Sequence, residues 1–353
     1  MKIAIVSPVM VVVPPIKYGG IERIIDELAQ GLAQRGHEVT VFCAGGSTLT
    51  GENITRVECS PYPTKDRLEE NRAWEIRQLL LVLGRQGEFD VIHFNYEPLV
   101  CRLNAEGTSV NLLDFFTTPV AATFHNTTHI PEHVEYYKKT ESLYRHNMIL
   151  ISENQRQPVS FFPNSSVIYN ALALKEYPFE EKKEDFLLFL GRITPFKGII
   201  EAIEVAKKTK IPLKIVAKVD PVDKEFYEKE VAPLIDGELV QYMGEADFKE
   251  KIEYYKKARC LLFPILWEEP FGLVMIEALA CGTPVIAFRR GSVPEIIQDG
   301  VNGFVVENTE EMIEALDKLK NILPVNCRKS VEERFTVERM VGEYENLLIK
   351  IAK

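Results

Sequence analysis

The chain has 353 residues, 46% of them hydrophobic and 27% charged, the balance of a soluble globular protein too long for one core and therefore expected to form two domains. The formal net charge of -10, with no basic stripe, excludes a phosphate-reading nucleic-acid binder and disfavours a strongly electrostatic hold on acidic lipids. No apolar run is long enough to span a bilayer, Met1 leads directly into a strand instead of a signal peptide, and six cysteines (43, 59, 101, 260, 281, 327) are scattered without metal-like spacing, so a reduced cytoplasmic protein is expected.

In chain order, Lys2-Ile3-Ala4-Ile5-Val6-Ser7 reads as a buried parallel strand, ended by Pro8 and followed by a loop through Pro14, Pro15, Gly19 and Gly20. Ile21, Ile24, Ile25, Leu28 and Leu32 then recur at helical spacing until Gly36 closes the helix. Further strands are expected at 39–42, 90–94, 120–124, 148–152 and 167–169, which makes one Rossmann-like half. After the charged connector 180–185 the pattern restarts, with strands at 186–190, 213–216, 260–264, 284–288 and 303–305, and helices notably at 198–209 and 249–258. Repeated βα units of this kind predict two parallel sheets with right-handed crossovers. Ligands bind at the carboxyl ends of such strands, so two halves facing each other would make a cleft. Residues 337–348 form a last amphipathic helix.

The stretch from Trp267 to Ala287 carries the chemistry. Glu269 and Glu277 are separated by seven residues, with Pro270-Phe271-Gly272 and the start of an apolar helix between them. Gly272 permits close approach to the main chain, and the unpaired N–H groups of a first helical turn suit anions or sugar oxygens. Glu269 before the helix and Glu277 inside it can accept hydrogen bonds from hydroxyls on two parts of one ligand. A bare pair of glutamates at this spacing is common in helices. Here the flanks Cys281-Gly282-Thr283-Pro284-Val285-Ile286 and Gly291-Ser292-Val293-Pro294-Glu295-Ile296-Ile297 extend the pattern. The whole resembles the glutamate-seven-glutamate motif of the retaining glycosyltransferases of family 4 (glycosyl transferases group 1), which share the two-domain GT-B fold.

A second constellation, Gly191-Arg192-Ile193-Thr194-Pro195-Phe196-Lys197-Gly198, follows the strand that opens the second half. Arg192 offers a planar fork of donors and Lys197 a mobile point charge, both suited to phosphate oxygens. By resemblance, Arg192 and Lys197 hold the nucleotide diphosphate. Lys17-Tyr18-Gly19-Gly20-Ile21-Glu22-Arg23 is similar to the family's glycine-rich loop, with Gly19 and Gly20 letting the backbone approach the donor. A dinucleotide fingerprint is missing its third glycine and short turn, which argues against an NAD-dependent oxidoreductase.

His125, His129 and His133 stand four apart, a spacing that on one helix could chelate zinc. Pro131 interrupts the run, and Phe124-His125-Asn126 reads as a strand end opening into a loop. The resemblance instead puts His125 near the donor sugar and gives His129 and His133 no role. There is no Asp-x-Asp metal motif, Walker loop or Gly-x-Ser-x-Gly elbow. Val216-Ala217-Lys218 departs from the glycine that many relatives carry after this strand, leaving nucleotide-base recognition open.

The resemblance implies an α/β protein of GT-B architecture: an acceptor-side domain over 1–170, a nucleotide-sugar domain over 171–335, and a terminal helix over 336–353 returning to the first domain. The implied activity is a metal-independent, retaining hexosyl transfer in carbohydrate biosynthesis, from a nucleotide diphosphate sugar to an unidentified acceptor. No cofactor is required, and peripheral membrane contact is left open. Arg192 and Lys197 would neutralise the departing diphosphate. Glu269 and the amides around Phe271, Gly272 and Leu273 would grip the donor sugar, Glu277 the ribose, and His125 would position the transferring sugar. A nucleotide-sugar epimerase of the same fold and a non-catalytic nucleotide-sugar sensor are the alternatives.

Overall fold

A computed structural model describes residues 1–16, 19–63, 70–105 and 108–353. Lys17 and Tyr18 of the expected glycine-rich loop lie outside the described residues. The chain divides into two compact units, one formed by Met1–Ala171 with Val337–Lys353, the other by Leu172–Thr336.

The first unit is built on β1 (Lys2–Val6), α1 (Gly20–Gln34), β2 (Glu38–Cys43), β3 (Ile54–Glu58), α2 (Asn71–Gly84) and β4 (Val91–Phe94). A small antiparallel pair, β5 (Arg102–Ala105) and β6 (Thr108–Asn111), precedes β7 (Val120–Phe124), α3 (Pro131–Lys139), β8 (Asn147–Leu150), α4 (Glu153–Arg156) and β9 (Ser165–Val167). The seven-stranded sheet has the order β3-β2-β1-β4-β7-β8-β9, with every pairing parallel. Ile3, Ala4, Ile5 and Val6 of β1 are fully buried, as a central strand covered on both faces requires.

On α1, Ile24, Ile25, Leu28 and Leu32 are buried on one stripe, each contributing roughly 1.5–3 kcal/mol by leaving water. The helix ends as the glycine predicts. Gly36 at φ 86° lets its own N–H reach the Ala33 carbonyl and the His37 N–H reach that of Leu32, a Schellman closure.

The second unit contains β10 (Leu187–Arg192), α5 (Ile199–Thr209), β11 (Leu213–Lys218), α6 (Lys224–Phe226), β12 (Val240–Gly244), α7 (Phe248–Lys257) and β13 (Cys260–Phe263). It continues with α8 (Leu273–Ala280), β14 (Val285–Phe288), α9 (Val293–Ile296), β15 (Gly303–Val306), α10 (Thr309–Lys318) and α11 (Pro324–Arg334). Its six strands run parallel in the order β12-β11-β10-β13-β14-β15. The chain enters and leaves this unit side by side, since Leu172 donates its N–H to the Phe335 carbonyl at 3.0 Å.

The last helix, α12 (Val337–Ile351), belongs to the first unit and packs on α1. Gly31 makes room for it, because a Cβ there would fall 2.5 Å from Val341 Cγ2. Glu345 is held by Arg35 at 2.6 Å and by His37 Nε2 at 2.9 Å. A buried chain of polar groups runs from His93 on β4 through Thr123 on β7 to the Tyr344 hydroxyl on α12, at 2.7 and 3.1 Å. Burial pushes the His93 imidazolium down to about 3, with nearby His125 adding to the effect, so this chain is made of neutral groups.

Two strands of the large sheets, β3 and β12, were not expected from the sequence, nor were α2 and the β5–β6 pair. Both strands lie at sheet edges, where Ile-Thr-Arg-Val-Glu and Val-Gln-Tyr-Met-Gly need not be apolar on both faces. The strand expected at 167–169 lies at Ser165–Val167. Among the described residues, no helix is long and apolar enough to cross a membrane, and all six cysteines are buried free thiols.

Candidate active site

In the second unit the strand order reverses between β10 and β13, so the loops leaving their carboxyl ends diverge and form the crevice where such sheets bind ligands. One loop carries Arg192 to Lys197 and the other Pro264 to Gly272. They are pressed together at Gly198, whose φ is 74° and where a Cβ would sit 1.8 Å from the Pro264 carbonyl oxygen; no other residue fits. The Leu266 N–H donates to the Phe196 carbonyl at 2.9 Å, a second tie between the same loops.

That contact brings Lys197 against Glu269. Lys197 Nζ lies 2.5 Å from Glu269 Oε2, and the Trp267 indole N–H donates to the same oxygen at 2.7 Å. The ammonium also stands 5.1 Å from the Trp267 ring centroid, within cation–π range. The backbone of Glu269 is fixed from the other side. The Ser292 N–H donates to its carbonyl at 2.9 Å, and Gly291 approaches so closely that a Cβ would be 2.2 Å from that oxygen. Glu268 in turn accepts the Gly291 N–H at 2.7 Å. Here the sequence places a carboxylate, an ammonium and an indole around one point.

Helix α8 begins immediately after. Its cap, Gly272, has φ 78° and no side chain to offer the first turn, so N–H groups at this helix start remain suited to an anion or a sugar oxygen. A Cβ on Gly272 would fall 2.8 Å from Met275 Cε. The Phe271 ring points away from this chemistry: it is buried edge-on against Phe335, centroids 5.7 Å apart, so only its backbone stands at the helix entrance.

Arg192 ends β10, where its register partner across the ladder is Lys218 at the end of β11. Its Nη1 is 3.4 Å from Asp220 Oδ2, and its Nε is buried without an acceptor among the described residues. Glu277 lies inside α8 and is almost fully buried. A capping box between Asp247 and Glu250 fixes the start of α7, which presents Lys251 and Tyr255 one turn apart on the same face. Lys251 Nζ lies 2.6 Å from Glu277 Oε1, the Tyr177 hydroxyl donates to the same oxygen at 3.0 Å, and Tyr255 donates to Oε2 at 2.8 Å. Burial alone pushes this carboxyl up, but Lys251, Tyr255 and Tyr177 outweigh it and hold it below the usual range.

In the first unit, His125 follows β7. Its N–H and that of Asn126 donate to Glu97 Oε1 at 3.0 and 2.7 Å, which ties the loop after β7 to the loop after β4. The ring nitrogen Nε2 is sealed from solvent without a partner among the described residues, and burial pushes the imidazolium down to about 4, leaving a neutral ring at neutral pH. His129 donates from Nε2 to the Asn154 carbonyl at 3.1 Å, while His133 sits on α3. The three histidines therefore do not share one helical face. Gly19 caps α1, and a Cβ there would fall 2.5 Å from Pro15 Cβ.

Two residues of this region were not singled out from the sequence. Glu97 gave no signal, its partners being nearly thirty residues away. Glu22 is buried on the first turn of α1. Burial pushes its carboxyl up to about 7 against the pull of its own backbone N–H. A signal existed: Glu22 stands three residues before Ile25, on the stripe that the apolar spacing had already marked as buried.

The model of "Glycosyltransferase Family 4" matches residues 18–156 and that of "Glycosyl transferases group 1" matches 173–333. The chain belongs to this glycosyltransferase family, and its two parallel-sheet units have the GT-B fold. It is 26% identical to an uncharacterised glycosyltransferase of Methanocaldococcus jannaschii over 98% of this chain and 97% of that one. It is 27% identical to a phosphatidyl-myo-inositol mannosyltransferase of Mycolicibacterium smegmatis, over 87% and 81%. Among solved structures, a sucrose-phosphate synthase of Thermosynechococcus elongatus superposes with a TM-score of 0.79 at 20% identity, covering 99% and 98% of the two chains. Anabaena HepE, solved in complex with UDP-glucose, superposes with a TM-score of 0.75 at 16% identity, covering 99% and 100%.

Proposed function

We propose that this glycosyltransferase moves a hexosyl group from a nucleotide diphosphate sugar to an acceptor with retention of anomeric configuration and without a divalent metal. The observation that carries the reading is the convergence of Lys197 and Glu269 at the strand-order reversal, beside Arg192 and the uncapped start of α8. Cations and helix N–H groups aimed at one place stabilise charge that grows on a leaving diphosphate, an effect that is often the largest single contribution to such catalysis. The UDP-glucose bound by Anabaena HepE supports the same class of donor.

In this reading Arg192 and Lys197 hold the diphosphate, and Glu269 accepts hydrogen bonds from hydroxyls of the donor sugar, aided by the N–H groups of Gly272 and Leu273. Glu277 already receives three donors, and an ionised carboxylate has room for about four, so one acceptor position is left for a ribose hydroxyl. His125, neutral at working pH, suits a hydrogen bond to a sugar hydroxyl. The acceptor oxygen attacks from the face the diphosphate leaves, and a diphosphate oxygen takes its proton, so no enzyme carboxylate serves as base.

A panel of nucleotide sugars screened by thermal stabilisation identifies the donor, and proton NMR of the first product reads the anomeric configuration. An α-linked product from an α-linked donor is expected. A β-linked product would overturn retention, and conversion of the donor to its epimer in the absence of any acceptor would overturn transfer itself.

A further inference from the structure

The carboxyl end of β11 carries a cation that lies outside both motifs of the site. Arg192 and Lys218 are opposite one another in the parallel ladder, at the end of the sheet where phosphates bind. Both reach for one carboxylate. Lys218 Nζ is 2.6 Å from Asp220 Oδ1 and Arg192 Nη1 is 3.4 Å from Oδ2. Burial pushes the Asp220 carboxyl up, but Lys218 and Arg192 outweigh it and hold it ionised. Asp223, whose N–H donates to the Asp220 carbonyl at 2.9 Å, also faces Arg192 electrostatically.

This arrangement satisfies the guanidinium poorly. Among the described residues its one acceptor stands at the long end of an ion-pair contact, and Nε has no acceptor although it is buried. A planar fork is matched by two oxygens in parallel, which Asp220 cannot supply while it also serves Lys218. A phosphoryl group has enough oxygens to meet Nε, Nη1 and an ammonium together.

We propose that Lys218 is a third phosphate-binding cation of the nucleotide site, and that Asp220 is the counter-ion an incoming diphosphate displaces from Arg192 and Lys218. Asp220 thereby sets nucleotide affinity, competing with the ligand for the same two cations. The inference rests on the diphosphate role assigned to Arg192, but concerns different residues. Lys197, paired with Glu269, is unaffected by it.

Calorimetric titration of UDP, GDP and ADP into the full chain identifies the diphosphate that binds most tightly, and that nucleotide and its monophosphate are then titrated into variants. Lys218→Met is expected to weaken the diphosphate about tenfold and the monophosphate less, whereas Lys218→Arg keeps binding within a few-fold. Asp220→Asn is expected to tighten the diphosphate several-fold, a gain that damage to the fold cannot produce. Unchanged affinity in both Lys218→Met and Asp220→Asn, with Arg192→Ala still weakening binding, overturns this proposal and leaves the diphosphate site standing. Equal affinity in Arg192→Ala, or no binding of any of the three nucleotides, overturns the diphosphate reading as well.

Discussion

Lys197 and Glu269, 72 residues apart in the chain, meet at 2.5 Å beside the Trp267 indole, and each is brought there by a different loop of one sheet. The pair is fixed by glycines on both sides, Gly198 under the lysine and Gly291 behind the glutamate. Their charges are therefore positioned before any ligand arrives, the condition under which electrostatic stabilisation costs no reorganisation.

Replacing Lys197 or Arg192 with Ala is expected to lower the transfer rate on the order of 10²-fold or more. Because both act on one leaving group, the double variant should fall short of additive. Single-turnover kinetics decides this, and near-normal rates in two well-folded single variants would remove both residues from the site.

Gly291→Ala should destabilise the second unit by about 2–4 kcal/mol, because its Cβ would enter the Glu269 backbone. Gly300 provides the control, having φ 74° with nothing near its would-be Cβ. Gly300→Ala should cost only the backbone strain, about 1 kcal/mol. Urea unfolding compares the two, and equal losses would show that the close approach at Glu269 is unimportant.

Lys251→Met strips the ammonium from a buried carboxylate and should cost about 3–5 kcal/mol at pH 7. The Glu277 carboxyl is held below its ordinary value. Its contribution is therefore complete above the unfolded-state value near 4.5 and is lost as pH falls through the folded one. The difference between variant and parent should accordingly shrink on acidification. Denaturant titrations at pH 7 and at pH 4 measure it, and a gap independent of pH would contradict the assignment.

Glu22 has the opposite sign. Its folded carboxyl is pushed up to about 7, so between the unfolded value near 4.5 and 7 the folded chain holds more protons and stability falls as pH rises. Above that window the parent should lack about 3 kcal/mol relative to acid pH, whereas Glu22→Gln should not show this slope. Melting temperature against pH gives the answer; parallel curves for parent and variant would mean that Glu22 ionises freely.

Chelation should leave transfer intact, because Arg192, Lys197 and the start of α8 supply the charge that a divalent ion would otherwise supply. Activity lost after exhaustive EDTA treatment and dialysis, then restored by magnesium or manganese, would refute the metal-free chemistry.

The central strands and the motif loops were legible because buried parallel strands are continuously apolar and their loops are marked by glycine and proline. Ile3 to Val6, Leu187 to Leu190 and Cys260 to Phe263 all carry that signature. The edge strand Ile54–Glu58, with three exposed polar residues, does not. Partnerships were less legible than residues. Glu277 stood out from its spacing, yet the hydroxyls of Tyr177 and Tyr255 and the ammonium of Lys251 come from 100, 22 and 26 residues away, and only tertiary packing connects them. Asp220 likewise has meaning only once the ladder sets Arg192 beside Lys218.

The return of α12 to the first unit has a consequence for the order of synthesis. On the ribosome, β1 to β9 emerge first, but Val341, Tyr344 and Glu345 follow only after all of Leu172–Thr336 has been made. The nascent chain thus holds the bare flank of Gly31 and the His93–Thr123 pair uncovered throughout translation of the second unit, and the half of the protein that is begun first is the half that is finished last.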